Sequence, residues 1–151
     1  MYAITKADQD ILEHQGSTYK YDQLYRLKQV NTWHNLNAAG NVWNTGSTND
    51  LRYKEYFSYD FNGNITRAKR YSGTLSGGTA TIMDSLEYYY NKTGGTYDAS
   101  TGSPSDATNK LNYITDNITN DCSFTGDLDN HGHNNYLYDD IGQLLKDQKE
   151  Y

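Results

Sequence analysis

The stretch DLDNHGHNN, residues 127–135, is the one place in this chain where oxygen and imidazole ligands crowd together. On extended backbone His131 and His133 share a face, and Asp127 and Asp129 would add carboxylates, a donor set that suits a divalent metal. Asp127, Asp129 and Gly132 also imitate part of an acidic calcium loop. A histidine falls where the fifth ligand position belongs, however, and no glutamate closes the loop. The segment reads more simply as a solvated loop leading into a strand at Tyr136, with Asp127, Asp129, His131 and His133 kept as the metal candidates. Other chemistries find less. No serine sits in a GxSxG elbow, Cys122 has no histidine at a recognised nucleophile spacing, and nothing singles out a glycosidase pair among the 19 acidic residues. The expectation is a protein that is not an enzyme and uses no cofactor.

Scaffolding is the alternative use for such a sequence. Its 151 residues suffice for one domain, yet only 35% are hydrophobic and the mean hydropathy is -0.95. So polar a chain leans toward disorder unless its apolar groups are large. Sixteen tyrosines supply that size, each a ring with a hydroxyl that finds a partner when half-buried, and 13 glycines with one proline fit strands joined by turns. The net charge of -6 argues against a nucleic-acid partner. The N-terminus MYAITKADQDILEHQG lacks the apolar run of a signal peptide, and no stretch is long and apolar enough to span a bilayer. Asn64, Asn91 and Asn117 begin glycosylation sequons.

A repeat organises the tyrosines. It runs through Tyr19, Tyr21 and Asp22; Phe57, Tyr59 and Asp60; Tyr88, Tyr90 and Asn91; and Tyr136, Tyr138 and Asp139. Five positions after the acidic residue stands Leu27, Ile65 or Leu144. In the third copy a polar stretch intervenes, and Leu111 supplies the missing half. The expected hairpins lie near 17–31, 53–71, 84–116 with an inserted loop 92–108, and 134–151. Each acid should bond amides ahead of it in the turn, with Asn62 and Gly63 accepting positive φ. Tyr25, at the place of Gly63 and Gly142, implies a different first turn. The alternating rings of each copy would share one face. Residues 36–50 read as a loop carrying Val42 and Trp43, residues 70–90 as a loop into a strand, and 8–14 as a turn of helix.

An aromatic, a spacer and Tyr-Asp, followed by an aliphatic residue, resembles the YD repeat of the Rhs family. YLYDDIGQLLKD is the clearest copy, with YKYDQLYRLKQV and YFSYDFNGNITR as variants. The resemblance implies an all-β strip of antiparallel β-hairpins from irregular repeats, a segment of an Rhs-like β-shell that encloses or presents another polypeptide such as a toxin. It also implies a secreted or cell-surface location within a larger protein, of which this chain would be a fragment. The partners would be remaining YD repeats of the same or another chain, besides an enclosed toxin or effector. Bacterial members often close their repeats with a self-cleaving proline- and glycine-containing segment. Here the sole proline, Pro104, lies in GSPSD, so no such cleavage site is expected. The alternative is a carbohydrate-binding surface module that stacks sugars on exposed Tyr and Trp, Trp33 and Trp43 among them.

Overall fold

Aromatic and β-branched residues pack well on a pleated surface, and short polar runs between them turn the chain. The computed structural model of the protein describes residues 4–6, 15–43, 51–76, 79–92, 107–118, 128 and 130–148. Among these there is no helix. The strands are β1 (Ile4–Lys6), β2 (Gln15–Tyr21), β3 (Leu27–His34), β4 (Leu36–Asn37), β5 (Val42–Trp43), β6 (Glu55–Tyr59), β7 (Ile65–Ser76), β8 (Thr79–Lys92), β9 (Ala107–Asp116), β10 (Tyr136–Tyr138) and β11 (Leu144–Asp147). They form antiparallel sheets: seven strands in the order β1-β2-β3-β6-β7-β8-β9, and two small pairs, β4-β5 and β10-β11.

The chain divides into two compact units, residues 1–57 with 69–83, and residues 58–68 with 84–151. In the first unit, β1 pairs with Gln15–Ser17 of β2, and β3 pairs along the whole of β2. Trp43 of the β4-β5 pair lies on Gly16, where a Cβ would stand 2.8 Å from the indole. Trp33 donates its indole N–H to Thr18 Oγ1 at 3.1 Å. Tyr53, at φ 54°, sets its ring 6.0 Å from that of the buried His34, tilted by 47°, and lays its hydroxyl end over Gly73. A side chain at Gly73 would collide with that ring.

In the second unit a small apolar set, Ala68, Leu86, Tyr113 and Ile114, is buried beside Asp60, Asp84, Asn112, Asp116, His131 and Asn135. Hydrogen bonds offset part of the cost of so polar an interior. Asp116 Oδ1, for one, accepts from the amides of Ser85 at 2.9 Å and Ile118 at 3.0 Å.

Several sequence expectations change. Where a loop into a strand was expected over residues 70–90, residues 70–76 and 79–90 are strand, since β7 continues to Ser76 and β8 starts at Thr79. The expected loop at 36–50 contains the short β4-β5 pair. The insertion expected at 92–108 is narrower, because the β8-β9 ladder extends to Lys92 and Ala107. The helical turn expected at 8–14, Cys122 and Pro104 lie outside the described residues.

Candidate functional site

Three turns share one construction. Asp22, Asp60 and Asp139 each donate their backbone N–H to the carbonyl four residues on, at 2.9, 3.0 and 3.0 Å. Each carbonyl accepts from the amide three residues on, that of Tyr25, Gly63 or Gly142. Each carboxylate Oδ1 then accepts the amide at the fourth position: Arg26 at 2.9 Å, Asn64 at 2.8 Å and Gln143 at 2.7 Å. The fourth side chain returns to Oδ2 in two cases, Arg26 Nε at 2.7 Å and Asn64 Nδ2 at 2.8 Å. The Arg26 amide foremost, with its guanidinium and the Leu24 amide, holds the Asp22 carboxyl below the usual carboxylate range against the opposing effect of desolvation. The third residue is left-handed in all three, Gly63 at φ 91°, Gly142 at 90° and Tyr25 at 61°. Tyr25 therefore makes the same turn as the glycines, at a steric cost of about 1 kcal/mol, and Asn62 is not among the positive-φ residues.

Beyond the turn the strands share a register. Tyr21 pairs with Leu27, Tyr138 with Leu144 and Tyr90 with Leu111, and in all three a bulge follows at Lys28, Leu145 and Asn112. The third hairpin keeps this pairing although 20 residues separate Tyr90 from Leu111. An extra residue on one strand deepens the local twist and re-aims its side chain. In β9 that residue is Asn112, 1% exposed. Its Nδ2 donates to Asn91 Oδ1 at 2.6 Å and Asn134 Oδ1 at 3.0 Å, while its Oδ1 accepts the Asn134 amide at 2.7 Å.

The motif tyrosines reach from one hairpin to the one before. Tyr90 donates its hydroxyl to the Ile65 carbonyl at 3.0 Å, and burial, then Tyr88, Asp60 and Tyr138, push it up to about 12. Burial raises Tyr138 as well, opposed by a hydrogen bond from the Leu111 backbone. Ring stacking uses the spacer-side positions: Tyr56 meets Tyr71 edge-on at 6.2 Å, and Tyr89 lies flat on Tyr113 at 4.4 Å. The Tyr89 hydroxyl donates to Glu87 Oε2 at 2.9 Å, and burial and that carboxylate raise its pKa.

The fourth hairpin is a separate two-stranded sheet rather than a further rung of the main one. Residues 130–134 lie along β9 instead, through Asn130 Oδ1 to the Asp116 amide at 2.7 Å, the His131 amide to the Ile114 carbonyl at 2.9 Å, and Asn134 on Asn112. The hairpin is then tied on by side chains. Lys110 donates to the Asp139 carbonyl at 3.2 Å with its ammonium 5.9 Å from the Tyr138 ring.

The metal candidates separate. Asp127 and Asp129 lie outside the described residues. His131 is buried, with Nδ1 3.3 Å from the Tyr136 hydroxyl and 3.5 Å from Asn135 Nδ2, whereas His133 is exposed with its ring 4.4 Å from Tyr113. Asn135 Nδ2 also donates to Asp147 Oδ1 at 2.7 Å. Among the described residues no three His, Cys, Asp or Glu side chains gather as metal ligands, and no helix is long and apolar enough to cross a membrane.

Sequence reasoning missed the amides of Asn112, Asn130, Asn134 and Asn135, and Lys110. Their signal was the asparagine directly after the aliphatic position of the third copy, together with the asparagines interleaved with histidine before the fourth. Comparison of the chain with protein-family models, with curated proteins and with solved structures finds no match.

Proposed function

We propose that this chain is a scaffold segment of the YD-repeat type, part of an Rhs-like β-shell, secreted or displayed at a cell surface within a larger protein, that encloses or presents another polypeptide such as a toxin domain. The observation that supports the reading is the recurrence of one register, Tyr21 with Leu27, Tyr90 with Leu111 and Tyr138 with Leu144, each followed by a bulge at the same place. The turn acids spend their acceptor capacity on their own loops, and the motif hydroxyls on neighbouring backbone. Bonding of this kind suits residues that hold a wall together.

Limited proteolysis of the longer protein containing this segment tests the proposal. The enclosed polypeptide should resist cleavage while the repeats are intact. With Tyr90→Ala and Tyr138→Ala together it should be cut about tenfold faster or more, the factor that about 1.4 kcal/mol of easier opening gives. Equal cleavage rates in the two proteins would defeat the reading.

A further inference from the structure

Asn62-Gly63 is the sole Asn-Gly dipeptide in the chain, and it stands at the tip of the second turn. Phe61, Asn62 and Gly63 are all exposed, Gly63 is left-handed at φ 91°, and a Cβ built on it would meet nothing within 4 Å. The main-chain nitrogen after Asn62 can therefore be approached by the asparagine side chain with no Cβ in the way. Every other asparagine precedes a residue that carries a Cβ, as in Asn35-Leu36, Asn41-Val42, Asn109-Lys110 and Asn117-Ile118. Several are also fastened by their own amides, Asn64 to Asp60 and Asn112 to Asn91 and Asn134. Asn62 further lines an open groove with Thr108, Asn109, Lys110 and Gly142, and Lys110 is the charged residue of that lining among the described residues.

We propose that Asn62 is a self-modifying site, where the folded chain deamidates before any other position and so loosens the second turn with age. The Gly63 nitrogen attacks Cγ of Asn62 and gives up its proton as the new C–N bond forms. The side-chain nitrogen takes up a proton and leaves as ammonia, which closes a five-membered succinimide. Water then opens the ring at one carbonyl to give aspartate or at the other to give isoaspartate, so one water enters, one ammonia leaves and nothing is oxidised or reduced. The attack needs the Gly63 N–H to release the Asp60 carbonyl at 3.2 Å. Two other bonds keep the turn closed meanwhile, from the Asp60 N–H to the Asn64 carbonyl at 3.0 Å and from the Asn64 amide to Asp60 Oδ1 at 2.8 Å. The aspartate product adds a carboxylate to the groove that Lys110 lines. Isoaspartate instead adds a methylene to the main chain between Asp60 and the amides of Gly63 and Asn64 that it accepts, which spoils the spacing of those bonds.

Peptide mapping by mass spectrometry tests this on the 151-residue chain, held folded for weeks in mildly alkaline buffer. The expected result is a gain of one mass unit in the tryptic peptide of residues 55–67 before any other asparagine-containing peptide changes, with isoaspartate detected by enzymatic methylation. Gly63→Ala should slow the gain about tenfold or more, since its Cβ hinders the attack. Asn62→Gln should stop it over the same period, because a glutamine would have to close a larger ring. The aged parent should melt at a lower temperature than the fresh one, whereas Asn62→Asp, which has the charge without the methylene, should melt as the fresh parent does. An unchanged peptide 55–67, an earlier change at another asparagine, a Gly63→Ala chain that converts as fast as the parent, or a converted chain whose melting is unaltered overturns the proposal. The scaffold reading stands apart from all of these outcomes, since its protease experiment uses freshly made protein.

Discussion

Replacing Asn112 tests whether a buried amide, rather than apolar packing, fastens the segment before β10 onto β9. The backbone amide of Asn134 can only donate, so the atom facing it at 2.7 Å is the Asn112 oxygen, and the nitrogen must face Asn91 and Asn134 Oδ1. Asn112→Ala removes three hydrogen bonds worth about 1 kcal/mol each net. The exposed Asn134 recovers water for part of that, so the expected loss is about 2 kcal/mol. Asn112→Asp keeps the size and the bond to the Asn134 amide. It also turns a donating edge into an oxygen that faces two carbonyl oxygens, and at neutral pH it buries a charge. The expected loss is then about 3 to 4 kcal/mol. Urea denaturation followed by circular dichroism gives the global value, and hydrogen exchange of the 134–147 amides locates the opening. The order of the two variants is the critical result. An aspartate as mild as alanine, or losses below about 0.5 kcal/mol for both, would refute the reasoning.

Two further outcomes follow from the turns and the tyrosines. Gly63→Ala places its Cβ in open space, so its loss is backbone strain alone, about 1 kcal/mol; Gly142→Ala meets Lys110 Cε at an ordinary 3.4 Å and should lower the melting temperature by a similar amount. Tyr90 must stay protonated to donate to Ile65, and its folded pKa of about 12 lies above the unfolded value near 10, so its contribution is complete below pH 10 and is lost as pH rises through 12. Two units correspond to about 2.7 kcal/mol, which the half-exposure of the ring screens to about 1 kcal/mol. Alkaline unfolding curves should show this decline in the parent and a shallower one in Tyr90→Phe; identical curves would contradict it.

Strand content and the second and fourth turns were legible in the sequence because their determinants are local. An aspartate can reach the amide four residues on without help from elsewhere. The pairing of Tyr90 with Leu111 was legible through the repeat despite the insertion, since alignment with Tyr21 and Leu27 supplied what local pattern could not. Tyr25 was misjudged because propensity disfavours a tyrosine at positive φ, whereas the closing bonds around Asp22 over-determine it. The length of β7 was missed because its outer half is a polar run through Gly73. Alternation alone assigns the motif rings of each copy to one face; it does not foretell that Tyr90 acts through its hydroxyl while the spacer-side Tyr89 carries the flat stack. The detachment of the fourth hairpin from the main ladder depends on side-chain amides meeting β9, a tertiary event with no periodic signature.

The third hairpin holds Tyr90 against Leu111 although 20 residues separate the two, where five separate Tyr21 from Leu27 and Tyr138 from Leu144. Alignment of the strands is thus stored in the strands themselves, and the connecting segment is released from that duty. A foreign peptide spliced between Lys92 and Ala107 would be carried on the scaffold without rewriting the wall that bears it, which makes this junction a natural port for displaying variable sequence.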